Sequence, residues 1–148
     1  MTDTVKQNLP AQNIKEAQEI SSGMNTSLFL HIVSYFFVPL FFLTIPKVYK
    51  LAFRAWKLLE AAGDNAASLE AETVYKLHKL KWNLFLGMIF GGIGMGVLSW
   101  VLSNEVGHIL ATLYGVFCLV CLAFFIYADV TAMKKRFAIK GAIDKIGG

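Results

Sequence analysis

The chain has 148 residues and a formal charge of +4, the size of one domain, yet 56% of its residues are hydrophobic and its mean hydropathy is +0.55. A water-soluble domain this small has too little interior to hide three uncharged stretches of 18 or more residues. Composition therefore excludes an ordinary soluble fold and points to an all-α integral membrane protein.

Residues 1–26 are polar and are expected to form a flexible amino-terminal tail, with Ile14, Ala17 and Ile20 the only hint of a helical stripe. No basic segment leads into a short apolar core and cleavage site, so no cleavable signal peptide is expected. Asn25-Thr26-Ser27 matches a glycosylation acceptor but reads better as the N-cap of the helix that follows. Residues 27–46 are then expected to be transmembrane helix 1. Its phenylalanine-rich run from Leu28 to Ile45 is just long enough to span. Pro39, which lacks an N–H and clashes with the preceding turn, should kink it, and Pro46 should end it.

Residues 47–81 read as a cytoplasmic amphipathic helical hairpin. Lys47, Lys50, Arg54 and Lys57 share one arc of its first helix, with Trp56 among the apolar residues beside them. These five are candidates for contact with an anionic lipid leaflet or a protein partner. Gly63-Asp64-Asn65 is a stop-and-turn signal. The second helix of the hairpin carries an expected apolar stripe of Leu69, Thr73, Leu77 and Leu80, and Lys76, Lys79 and Lys81 load its membrane end.

Residues 82–102 and 108–127 are two further uncharged runs, each roughly 30 Å long as a helix, expected as transmembrane helices 2 and 3 joined by an outer loop at 103–107. Residues 128–148 form a basic cytoplasmic tail whose Lys134, Lys135 and Arg136 are further candidates for lipid or partner contact. Lysine and arginine number two before helix 1, seven in 47–81, none in 103–107 and five after Tyr127. With three spans, the positive-inside rule places the amino terminus outside and the carboxyl terminus in the cytoplasm, most simply across a bacterial inner (plasma) membrane.

The second run contains Gly87, Gly91, Gly92, Gly94 and Gly96, and the third contains Ala111 and Gly115. Small-xxx-small spacing lets helices approach closely, so these residues are expected to pack the spans together or to serve an oligomer or partner contact. His31 and His108 fall near the outer boundary in this topology. They are the candidates for binding haem b or a quinone, against the plainer reading of bonds to a carbonyl or headgroup. Cys118 and Cys121 have CxxC spacing but no further metal ligands nearby, and read as packing residues. Asp129, at the end of an apolar run, should take a basic partner such as Lys79 or Lys81.

No phosphate-binding glycine loop, HExxH or nucleophile elbow is present, no ionisable carboxylate or lysine sits within a span, and no nucleic-acid module accompanies the basic residues. The expected function is that of a small non-catalytic interaction protein, an accessory, assembly, regulatory or immunity-type subunit docking on a larger membrane complex, with no cofactor. Two alternatives remain open: a redox membrane anchor using His31 and His108, and a homo-oligomeric pore.

Overall fold

A computed structural model describes residues 11–102 and 104–148, which form four α-helices and their connections: α1 (Ala11–Ser34), α2 (Phe41–Ala61), α3 (Asn65–Val101) and α4 (Asn104–Gly147). Each helix carries a buried stripe at spacings of three and four residues. On α1 it is Ala17, Ile20, Ser27, His31 and Ser34, on α2 Phe41, Ile45, Ala55 and Leu59, on α3 Ala67, Ala71, Val74, His78, Lys81 and Phe85, and on α4 Cys121, Phe125, Ala128, Ile139 and Ile143. That period turns one face of each helix inward, and the four faces close an up-down-up-down bundle.

Pairwise contacts fix the direction of each helix. Gln18 bonds the carbonyl of Gly147 while His31 meets Asp129, so α1 runs antiparallel to α4. Phe41 packs on Phe85 and Arg54 reaches Glu16 and Glu19, so α2 returns alongside α1. One apolar cluster fills the end of the bundle remote from the α1–α2 turn, including Ile20, Leu59, Ala71 and Ile143. A second fills the end nearest that turn, with Phe41, Ile45, Phe85, Cys121 and Phe125. Beyond it α3 and α4 continue alone as a two-helix hairpin. These two are long and apolar enough to cross a membrane.

The first apolar run departs from expectation. Residues 28–45 do not form one helix; the chain leaves α1 at Ser34, passes through turns and a 3₁₀ turn at Val38–Leu40, and reverses into α2. The physical reason lies in the backbone. The Ser34 hydroxyl bonds the carbonyl of His31, the amides of Tyr35, Phe36 and Phe37 fall back on carbonyls three residues earlier, and Pro39 has no amide to continue a helix. Pro39 thus takes part in a reversal where a kink was expected. Pro46 lies inside α2, which it does not end.

Three other expectations change with it. Residues 11–26 of the expected tail are helical, because the hinted stripe extends through Ser27 and His31 and finds α2 and α4 to pack on; residues 1–10 and Ser103 lie outside the described residues. Thr26 and Ser27 are within α1, so neither is an N-cap. The buried face of α3 is the one carrying Ala71, Val74, His78 and Lys81, while Leu69 and Leu80 face outward. The hairpin helix and the second apolar run are one uninterrupted α3, just as the third run and the basic tail are one α4. The turn at 63–65 forms as expected. Gly63 adopts φ +77°, which only glycine takes freely, and Asp64 caps α3 by accepting from the Ala67 amide at 3.1 Å.

Candidate site: a buried polar cluster where the bundle meets the apolar hairpin

Five polar side chains, drawn from three helices and the turn after α1, meet where the bundle passes into the hairpin. His31 comes from the end of α1 and Tyr35 from the turn that follows it; His78 and, three residues on, Lys81 share one face of α3; Asp129 projects from α4. Helical spacing places His78 and Lys81 on one face, and the packing of the bundle turns that face toward His31 and Asp129.

Lys81 is the centre. It has no exposed surface, and its Nζ lies 2.7 and 2.9 Å from the two Asp129 oxygens, 2.8 Å from His31 Nε2 and 3.0 Å from the Tyr35 hydroxyl. Its three N–H groups are thereby matched to three partners. The Tyr35 hydroxyl in turn donates to Asp129. An ammonium has no acceptor capacity, so His31 Nε2 must accept from it, which leaves Nδ1–H to donate to Thr44 Oγ1 at 3.2 Å. The rings of Tyr35, Phe41 and Phe125 surround the ammonium at 5.0 to 5.6 Å from their centroids.

His78 is held differently. Its Nδ1 lies 3.1 Å from the Val74 carbonyl, and a carbonyl can only accept, so Nδ1 carries the proton. Nε2 then faces Asp129 Oδ1 at 3.3 Å. His31 Nε2 lies 3.1 Å from the same oxygen. A cavity of about 70 Å³ opens beside the two histidines and Asp129, with walls from Leu51, Ala55 and Val74. Ser27 Oγ and Arg136 Nε, whose residues also line it, are buried and have no hydrogen-bond partner among the described residues.

The other predicted residues are dispersed. His108 is exposed near the far end of α4, 21 positions or about 30 Å along the helix from Asp129, so it does not meet His31, and a two-histidine haem or quinone site does not form. Of the glycines, Gly91 and Gly92 pack against Tyr114, whose hydroxyl donates to the Met88 carbonyl; among the described residues, Gly87, Gly94 and Gly96 have no atom beyond their own stretch of helix within 4 Å of where a Cβ would stand. Gly115 is likewise open and Ala111 is exposed, so the contact with α3 uses Tyr114 where a groove of small residues was expected. Arg54 joins α2 to α1 through Glu16 at 3.0 Å and Glu19 at 3.1 Å. Trp56 stacks on Tyr75, and Lys57 lies over the Trp56 ring while also pairing with Glu60. Lys47, Lys50 and Lys134 are exposed, Lys135 lies 3.8 Å from Glu70, and Arg136 is half-buried at the cavity.

Sequence reasoning missed His78. The available signal was its i, i+3 spacing from Lys81, together with Asp129 as the lone acid between Glu105 and Asp144. A buried acid calls for a cation at the same depth, and the α3 face that supplies Lys81 also carries His78. No family model, curated protein or solved structure matches this chain.

Proposed function

We propose that the chain is a non-catalytic membrane interaction subunit, anchored by two spans and carrying its four-helix bundle on the cytoplasmic side. In this reading α3 and α4 cross the bilayer between Trp82 and Tyr127, and the α1–α2 turn dips about one helical turn below the inner surface, beside Phe85 and Phe125. Both ends of the chain then lie on the same side, in place of the three-span arrangement. The charge pattern supports this: all 14 lysines and arginines fall outside residues 82–127, and a two-span topology puts every one of them in the cytoplasm. Three spans would leave Lys6 and Lys15 outside.

The observation that carries the docking role is the unfilled surface of the hairpin. Gly87, Gly94 and Gly96 expose bare backbone, while Phe90, Ile93 and Trp100 project beside them. Close approach of another helix gains dispersion contacts at such a surface that lipid chains supply less well. The polar cluster, by contrast, turns its bonds inward and ties the α1–α2 hairpin to the spans, which suits an adaptor with a rigid core.

A photoreactive side chain in place of the exposed Phe90, one turn from Gly94, activated in native membranes, tests this. A discrete crosslinked protein is expected. A band at twice the mass of the chain would favour the pore reading, and recovery of the chain alone, monodisperse and crosslinked only to lipid, would overturn the docking role.

A further inference from the structure

One ring nitrogen each of His31 and His78 and a carboxylate oxygen of Asp129 all lie within 4.8 Å of one another. Their orientation carries more than their proximity. The Nδ1–H of His78 is committed to the Val74 carbonyl and that of His31 to Thr44, so both Nε2 atoms are turned toward Asp129 Oδ1, at 3.3 and 3.1 Å. Lys81 bridges His31 to Asp129, but its contacts do not extend to His78 Nε2. Without a proton on Nε2, His78 would set its lone pair against a carboxylate oxygen, an arrangement of two acceptors that a shared cation makes favourable; a metal ion would take the place of a proton between the two atoms.

We infer that His31, His78 and Asp129 form a divalent transition-metal site in which the Lys81 ammonium is a built-in competitor. This stands independently of the docking role. Metal–ligand bonds of 2.0–2.2 Å in tetrahedral array put neighbouring ligand atoms about 3.3 Å apart, and the two His–Asp separations lie close to that. Each histidine has an outer hydrogen bond that fixes its ring and presents Nε2, as metal-binding histidines do. The cavity of about 70 Å³ lies beside all three ligands and has room for water on an open coordination position. Two imidazoles and one carboxylate suit zinc, iron(II) or cobalt(II) better than magnesium or calcium. The Lys81 Nζ, 2.7 to 2.9 Å from both carboxylate oxygens and from His31 Nε2, sits against the same atoms. A metal ion and the ammonium exclude each other there.

Cobalt(II), read by its visible absorption, and zinc, read by metal analysis after dialysis, are the probes, with the full chain purified in detergent. The Lys81→Met variant is expected to bind one cobalt per chain at least about tenfold more tightly than the parent, because a positive charge next to the dication is gone. Adding His78→Gln to Lys81→Met should abolish binding, and adding His108→Gln should leave it unchanged. No absorption in Lys81→Met, or binding that survives His78→Gln, overturns the site. A second arm needs no change at Lys81: excess zinc should raise the melting temperature of the parent chain and leave that of His78→Gln unchanged. No rise in the parent, or an equal rise in both, overturns it as well.

Discussion

Breaking the Lys81–Asp129 pair should remove much of the molecule's stability. The ammonium has no exposed surface and the carboxylate is 14% exposed, with N–O separations of 2.7 and 2.9 Å. At an effective dielectric constant of 20 their attraction is about 6 kcal/mol, opposed by several kcal/mol for removing each ion from water. The pair therefore adds modest net stability, but removing one partner strands the other. Lys81→Met leaves the carboxylate with the Tyr35 hydroxyl as a donor and should cost about 3 kcal/mol. Asp129→Leu leaves a buried ammonium facing only His31 and Tyr35 and should cost about 5 kcal/mol. With both charges gone, the double variant should be more stable, by at least about 2 kcal/mol, than the sum of the single losses implies, the signature of direct coupling. Reversible unfolding in detergent with a chelator present measures all three. Single losses below about 1 kcal/mol, or strict additivity, would refute the view that this pair is a desolvated lock.

The hairpin glycines should separate by contact. Gly91→Ala places a Cβ 3.0 Å from the Tyr114 ring and should cost about 1–3 kcal/mol in the same assay, whereas Gly94→Ala meets nothing and should stay within about 1 kcal/mol of the parent. Gly94→Leu should fold normally yet lose the crosslinked partner in membranes. Arg54→Ala should cost no more than about 1 kcal/mol in a melting experiment, because its pairs with Glu16 and Glu19 are solvent-exposed. At the far end of the bundle, hydrogen bonds from Lys140 and then Ser21 hold the Asp144 carboxyl below its ordinary value of 3.8. A lowered folded value means stability that is present above the ordinary value and lost as pH falls through the folded one. The melting temperatures of the parent and Asp144→Asn should therefore differ at pH 7 and begin to converge as pH falls below about 4.

The helical class, the turn at Gly63-Asp64 and the two long apolar helices were legible because each has a local cause: charge-free length, a glycine able to take positive φ, an aspartate positioned to cap. The reversal at residues 35–40 was not, because a run of 18 uncharged residues reads alike whether it crosses a bilayer or folds back on itself. What decides between them is whether Phe41 and Ile45 find partners, and those partners, Phe85 and Phe125, lie far along the chain on α3 and α4. The same distance hid the site. Asp129 signalled the need for a cation and Lys81 was one of two candidates, but pairing His31 with His108 followed from the assumed topology. Once α1 turns back, His31 faces the bundle end of the hairpin, where His78 waits on the α3 face that Leu69 and Leu80 made look like the exterior. The glycines misled in another way, since small-residue spacing says that a helix can be approached without saying by what. Tyr114, a bulky residue, fills the space at Gly91 and Gly92.

Labelling of single cysteines with a membrane-impermeant maleimide in intact cells tests the two-span fold most directly. The unsubstituted chain, with Cys118 and Cys121 within the hairpin, serves as the control. Gln12, Glu105 and Lys145 are exposed positions at the start of α1, at the start of α4 and near the end of α4. Glu105→Cys should react from outside, and Gln12→Cys and Lys145→Cys only after the membrane is opened. Labelling of Gln12→Cys from outside together with Glu105→Cys would place α1 across the bilayer and contradict the reversal on which the bundle and its buried cluster depend.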